Sequence, residues 1–140
     1  MILVSACLLG ENCKYTGGNN RNEAVLAFLE GKEYILFCPE QAGGLPTPRL
    51  PSEIRGDRVV NTRGEDVTDA FLLGAARALE ICRTHGADLA ILKEGSPSCG
   101  THRVYDGTFA GRKIDGMGMT AKRLQEAGIA VMSENDISHI

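Results

Sequence analysis

The chain contains five cysteines, and thiols are the side chains best suited to bind a soft metal or to act as a nucleophile. Three of them, Cys7, Cys38 and Cys99, stand directly before residues typical of turns and loops, where functional residues are frequent. An odd number of cysteines does not suit a framework of structural disulfides. The pattern therefore indicates metal binding or catalysis for these three thiols, with packing in the core as the alternative.

The other two cysteines have less distinctive surroundings. Cys82 lies four residues after Ala78 on the apolar stripe of a predicted helix, which predicts packing in the core. Cys13 lies in a polar loop, separated from Cys7 by five residues, a spacing wider than that of the usual zinc knuckle. We expect Cys13 to have no role in binding.

Short apolar runs alternate with amphipathic segments along the chain. The runs rich in Ile, Leu and Val predict strands at 2–5, 34–37, 88–92 and 129–132, and helices are predicted at 22–30, 66–85 and 120–128. Asp66 is predicted to cap the second helix and Gly86 to end it. This alternation predicts an α/β fold in which a mainly parallel, Rossmann-like sheet is flanked by helices in a single compact domain, 1–140.

Two further segments are rich in glycine. The stretch 43–63 also contains prolines and is predicted to be a long functional loop. Arg49 and Glu53 in this loop either gate the pocket or pair with each other, and we favour the pair. Gly116 and Gly118 precede the third helix. They predict either an anion cradle at its N-terminus or a tight turn capped by Thr120, and we favour the turn.

Each of the three candidate cysteines follows a predicted strand. The carboxyl ends of parallel strands share one edge of a sheet and ligands bind there, so these thiols are predicted to converge at that edge. Two centres would suit them. One is a zinc site completed by His102 or His85, and the other is an iron–sulfur cluster with one iron open to substrate as a Lewis acid.

Charge and hydropathy exclude several classes of protein. The 140 residues carry 18 acidic and 15 basic side chains, for a net charge of −3. This charge argues against a protein whose main task is to bind the nucleic-acid backbone, because such a protein needs a basic face. The apolar runs are shorter than the roughly 18 residues of a membrane span, and no basic segment precedes the apolar N-terminus. We expect a cytoplasmic protein without a membrane segment.

Several loop sequences match a known pattern. These are VSACLLG (4–10), CPE (38–40), GGLPTPR (43–49) and SPSCG (96–100), continued by YDGTF (105–109) and GMGMTA (116–121). In this combination, over nearly the whole chain, the sequence resembles a family of small bacterial proteins long known as a domain of unknown function. The characterised members of that family are thiouracil desulfidases.

The resemblance implies a [4Fe–4S] cluster held by Cys7, Cys38 and Cys99. It also implies that Glu40 acts as acid or base and that the Ser96 hydroxyl contacts substrate. The expected reaction removes sulfur from a small thiolated nucleobase bound through that sulfur to the open iron, converting 2-thiouracil to uracil and hydrogen sulfide. Without the resemblance, Glu40 would be a solvated loop carboxylate and Ser96 would initiate a turn.

One departure from the family pattern bears on the substrate. Lys14 and Thr16 stand where the relatives have Arg and Asp, and Lys does not replace Arg at a bidentate site. The alternatives to a desulfidase are a sulfide-carrying cluster protein and a structural zinc domain without catalysis. Should Glu40 not be the base, Glu134 is the next candidate, since it follows the fourth predicted strand at the same sheet edge.

Overall fold

The structure is a computed structural model that describes residues 1–137, in which eight strands and five helices are found. In chain order they are β1 (Ile2–Ser5), α1 (Glu23–Leu29), β2 (Tyr34–Phe37), α2 (Pro39–Ala42), β3 (Ser52–Arg55), β4 (Arg58–Asn61), α3 (Thr68–His85), β5 (Leu89–Leu92), β6 (Arg103–Tyr105), β7 (Lys113–Asp115), α4 (Met119–Glu126), β8 (Ala130–Ser133) and α5 (Glu134–Ile137). A 3-10 turn over Ala6–Leu9 follows β1. Residues 138–140 of the predicted domain lie outside the described part of the chain.

Four parallel strands form the central sheet in the order β2–β1–β5–β8. This confirms the predicted α/β class and its parallel sheet. The first two strands have the predicted bounds, and the other two begin one residue later than predicted. The inner strands β1 and β5 are largely buried and the edge strands β2 and β8 less so. All four carry near-continuous apolar runs, which is why the sequence located them.

Helices cover both faces of the sheet. Leu3 packs with α3 and α4 on one face, while Ile2 and Val4 pack with α1 on the other, because successive side chains of a strand point to opposite faces. The connection after β1 thus runs over one face and the connection after β5 over the other. The neighbouring strands β1 and β5 therefore form a topological switch point, where a crevice opens at their carboxyl ends.

The helix ends agree only in part with the predictions. Gly86 ends α3 in the left-handed conformation (φ 69°), as predicted. Asp66 is not the N-cap, because Val67 holds that position and Asp66 Oδ1 instead accepts a hydrogen bond from the Thr68 amide. Thr120 is not a cap either, since α4 begins at Met119 after Gly118.

The predicted long loop at 43–63 is wrong in its second half, where β3 and β4 form an antiparallel hairpin. The sequence carried part of the signal, because Gly56-Asp57 is a two-residue sequence typical of a hairpin turn. A second antiparallel ribbon, β6–β7, also escaped prediction. Between residues 1 and 137, no helix combines the length and the hydropathy that a bilayer crossing requires.

Candidate active site

A cavity of about 540 Å³ opens at the carboxyl ends of β1, β2 and β5. Cys7, Cys38 and Cys99 all line it, so the structure brings the three predicted thiols together at the predicted sheet edge. Glu40 and Ser96 line the same cavity. Cys82 does not, and it is buried in the core beneath α3, as predicted.

The 3-10 turn after β1 places Cys7 at the cavity. Gly10 ends this turn with a positive φ of 99°, and its amide donates to the Cys7 carbonyl (3.3 Å). The loop then returns, so that the Asn20 amide donates to the same carbonyl (2.9 Å) and Asn20 Nδ2 donates to Cys7 Sγ (3.5 Å). Asn20 thus holds both the backbone and the sulfur of Cys7.

Cys38 follows β2 directly and is the N-cap of α2. The position of α2 is fixed by close backbone packing on α3. A Cβ on Gly74 would overlap the Pro39 carbonyl, and a Cβ on Gly43 would overlap the Ala70 carbonyl. The segment from Cys38 to Glu40 is therefore set by steric contact with α3.

Cys99 lies in the loop that joins β5 to β6. Glu94 Oε1 accepts hydrogen bonds from four backbone amides of this loop, and Oε2 accepts one from the Thr101 hydroxyl (3.1 Å). The four donors are the amides of Gly95 (3.3 Å), Thr101 (2.9 Å), His102 (3.0 Å) and Arg103 (3.0 Å). Burial raises the pKa of Glu94, but these bonds together hold it below its ordinary value.

The N-terminus of α4 closes the Cys99 loop from the other side. The amides of Gly118, Met119 and Thr120 donate to carbonyls of residues 97–100 at 2.8–2.9 Å, so they are engaged by the loop and not by a separate anion. A Cβ on Gly118 would overlap the Ser98 backbone. Gly118 thus permits close approach of α4 to the Cys99 loop.

Cys13 is nearer the candidate thiols than we expected. It is buried and lines the cavity, and the Cys38 thiol donates to its backbone carbonyl (3.7 Å). Interaction with the Cys13 side chain lowers the pKa of Cys7 and lowers that of Cys38 to about 6, whereas the pKa of Cys13 is raised. Burial raises the pKa of Cys99.

Glu40 is held at both oxygens. Arg49 Nε donates to Oε1 (3.0 Å), and the Ser98 hydroxyl donates to Oε2 (3.1 Å). The predicted pairing of Arg49 with Glu53 is wrong, because Arg49 faces Glu40, while Glu53 is buried and accepts the amides of Gly107 and Phe109.

The Ser96 hydroxyl has two roles in the structure. Its Oγ accepts hydrogen bonds from the amides of Ser98 and Cys99 (3.1 Å each), which is the turn-initiating role a Ser-Pro sequence suggests. It also lies 3.5 Å from Glu40 Oε2. Sequence reasoning identified Ser96 but missed Ser98, since no pattern distinguishes a second serine of one turn.

Glu134 is not placed to act as a base. Its Oε1 accepts the Glu94 amide (2.8 Å), Oε2 pairs with Lys93 Nζ (3.0 Å), and it is not among the residues that line the cavity. Lys93 lines the cavity and was missed by sequence reasoning. Lys14 lines it as well, whereas the Thr16 hydroxyl accepts the Gly18 amide away from it.

Neither histidine proposed for a zinc site reaches the cavity. His102 is exposed and bonds Asp136 through Nε2 (3.0 Å), and His85 lies at the end of α3, next to the amino ends of the strands. Within residues 1–137, no three His, Cys, Asp or Glu side chains are arranged to hold a single metal ion. A cluster distributes its ligands over several iron atoms, so more widely spaced thiols suit it better than zinc.

Comparison with known proteins identifies the family and supports the fold. The family model described as 2-thiouracil desulfurase matches residues 2–136. The chain is 43% identical to "Uncharacterized protein YbbK" of Bacillus subtilis (strain 168), over 100% of this chain and 99% of that protein. It is 46% identical to a solved structure, the [4Fe-4S]-dependent thiouracil desulfidase TudS (DUF523Vcz), with a TM-score of 0.91 over 99% of this chain and 93% of that one.

Proposed function

The chain belongs to the 2-thiouracil desulfurase family, and from this we propose that it is a [4Fe–4S]-dependent desulfidase that converts thiouracil to uracil and hydrogen sulfide. The observation that carries the proposal is the shared cavity, where three thiols from separate strand ends face a carboxylate held by three side chains.

We assign the cluster ligands to Cys7, Cys38 and Cys99. Their thiols lie at one cavity, and the lowered pKa values of Cys7 and Cys38 favour the thiolate form that iron requires. When bound, the cluster supplies a soft Lewis acid for the thiocarbonyl sulfur. Three protein ligands, with Cys13 beside them but not ligating, are part of the proposal.

Glu40 is the proposed general base. Water adds to the C=S carbon and gives one proton to the Glu40 carboxylate, which leaves a tetrahedral carbon that bears a hydroxyl and the sulfur. The C–S bond then breaks as the hydroxyl becomes the carbonyl, and the hydroxyl proton and the proton held by Glu40 both pass to the departing sulfur, which leaves as hydrogen sulfide. The hydroxyls of Ser98 and Ser96 reach Oε2, which keeps the carboxylate facing the cavity. A base placed in this way contributes about 10² to 10⁴ in rate.

Ser96 and Lys14 are proposed to contact the nucleobase of the substrate. Ser96 lines the cavity beside Glu40 and the Cys99 turn, so its hydroxyl is placed to contact a polar atom of a pyrimidine bound there. Lys14 presents a single charged donor where the family pattern has Arg, so its grip on a substrate oxygen is a point contact and not a fork.

We also propose that the protein works on a small thiolated base in the cytoplasm. All five cysteines are free thiols in the structure, as expected in a reducing compartment. The net charge of −3 disfavours a polyanionic substrate.

The ligand assignment is tested by anaerobic purification of single variants. Cys7→Ala, Cys38→Ala and Cys99→Ala should each lose bound iron, whereas Cys82→Ala, the control, should keep it with a loss of about 1 kcal/mol in stability. Cys13→Ala should keep iron too. Full iron and sulfide content in any of the first three variants would contradict the assignment.

The catalytic assignment is tested by Glu40→Gln, which keeps the shape of the side chain but removes the base. The variant should hold a full complement of iron while 2-thiouracil turnover falls by about 10² to 10⁴. Turnover by the purified protein alone also excludes a sulfide carrier that needs a partner enzyme. Near-normal turnover in Glu40→Gln would remove the carboxylate from the mechanism.

A further inference from the structure

We propose that Arg49 is a positioning residue for desulfuration, because it fixes the orientation of the Glu40 carboxylate at the cavity. The inference rests on the proposed catalytic role of Glu40. It adds a residue whose contribution is made through Glu40 and not by contact with the substrate.

The Arg49 guanidinium is almost fully enclosed, with 6% of its side chain exposed. Besides the Nε bond to Glu40 (3.0 Å), Nη1 donates to Thr47 Oγ1 (3.0 Å) and the Pro46 carbonyl (3.2 Å), and Nη2 donates to the Cys13 carbonyl (2.9 Å). These contacts occupy most of the five N–H donors that an arginine has, so little capacity is left for a substrate.

Contacts other than Glu40 determine where the guanidinium lies. The Arg49 backbone amide donates to the Tyr15 carbonyl (2.8 Å), and the Nη contacts hold the guanidinium against the 46–47 turn and the Cys13 loop. The direction of Nε is therefore set by the surrounding backbone. Because the guanidinium is planar and rigid, fixing its Nη atoms also fixes the direction of its Nε–H bond. Glu40 Oε1 must lie along that direction to accept the hydrogen bond.

Glu40 is consequently held from two sides. Arg49, in the 43–51 segment, engages Oε1, and Ser98, in the Cys99 loop, engages Oε2. The carboxylate side chain is only 15% exposed, so it has little water to reorient in. With the Arg49 side removed, the carboxylate can rotate about its side-chain torsions, and the orientation that accepts a proton is populated less.

The experiment is a double-mutant cycle on the cluster-loaded protein. Arg49→Met keeps an unbranched side chain of similar length but removes the fork. It should lower kcat about 10- to 100-fold, with KM within about threefold of the native value. In the Glu40→Gln background the same change should alter kcat by less than about twofold, since a residue that acts through Glu40 has no further effect once Glu40 is lost.

Two readouts do not depend on turnover. Iron per chain should be unchanged in Arg49→Met. In cluster-free protein, the urea midpoint should fall in each single variant, but the double variant should fall no further than the worse single one, because a buried partner left unpaired causes most of the loss. Arg58→Met is the matched control, since it removes an exposed arginine–carboxylate pair of similar length (2.8 Å) far from the cavity.

Three outcomes would overturn the inference. Multiplicative effects of the two substitutions on kcat would show that Arg49 acts independently of Glu40. A raised KM with unchanged kcat would make Arg49 a substrate ligand. Normal turnover in Arg49→Met, beside a large loss in Glu40→Gln, would refute the positioning role alone, whereas normal turnover in Glu40→Gln would refute the proposed function. If Arg49→Met does not fold, Arg49→Lys, with its charge but no fork, should give the same pattern at smaller amplitude.

Discussion

The Cys38 loop and the Cys99 loop are held in position at the cavity by different kinds of contact. Both follow a parallel strand and carry a candidate cluster ligand to one cavity. The Cys38 loop is positioned by steric contact, because α2 packs on α3 through Gly43 and Gly74 with no room for a side chain.

The Cys99 loop is positioned by hydrogen bonds. Glu94 accepts hydrogen bonds from four backbone amides of the loop, and the amides at the start of α4 donate to carbonyls of the loop. A loop positioned by steric contact is displaced when a side chain is added at the contact. A loop positioned by hydrogen bonds is displaced when a single acceptor is removed. Substitutions can therefore disturb one loop at a time.

The largest expected effect is on the Cys99 side. Glu94→Gln removes the charge and turns one acceptor into a donor that faces the Thr101 hydroxyl, so we expect a loss of about 3 kcal/mol in the free energy of unfolding. Bound iron should fall as well. Urea unfolding of the cluster-free protein and iron analysis of the loaded protein measure the two effects.

The matched control for Glu94 is Glu53→Gln. Glu53 is equally buried and also accepts backbone amides, but those amides belong to the 107–109 segment and not to the Cys99 loop. It should lower stability while iron is retained. Equal iron loss in both variants would mean that general destabilisation, and not the Cys99 loop, explains the result.

The next effect is on the Cys38 side. Gly74→Ala places a Cβ against the Pro39 carbonyl, and α2 must move, with an expected loss of about 2 kcal/mol after the gain in helix propensity. The exposed neighbour Leu73→Ala should change stability by less than about 0.5 kcal/mol. A stabilised Gly74→Ala would refute the steric account of this loop.

A smaller contrast separates two serines that both reach Glu40. Ser96→Ala leaves the amides of Ser98 and Cys99 without their acceptor, so it should lower stability by about 1–3 kcal/mol and reduce turnover. Ser98→Ala removes only a donor to Glu40 and should reduce turnover with less change in the urea midpoint. The opposite ranking of midpoints would contradict the assigned hydrogen bonds.

The smallest effect concerns the outer tie of the Cys99 loop. The Asp136 carboxylate raises the pKa of His102 above its ordinary value, so the pair stabilises the fold below a pH of about 6.5 and the contribution is lost as pH rises through the raised pKa. Because the pair is largely exposed, His102→Gln should lower stability by ~0–1 kcal/mol at pH 6 and by less at pH 9. A deficit that grows with pH would contradict this linkage.

The sequence by itself determined the central sheet, its three long helices and the edge at which the cysteines meet. Apolar runs buried on both faces and amphipathic helices are encoded locally, and parallel topology then places every strand's carboxyl end at one edge. The hairpin at β3–β4 was also encoded, in Gly56-Asp57, although its turn sequence was passed over.

Only the tertiary structure decided which charged groups meet. Arg49 and Glu53 are four residues apart, yet Arg49 pairs with Glu40, and Glu53 binds the backbone of a segment more than 50 residues away. Cys13 likewise came to lie beside Cys7 and Cys38. Such pairings depend on the direction in which each buried side chain leaves its loop, and that direction is fixed by packing between distant elements and not by local sequence.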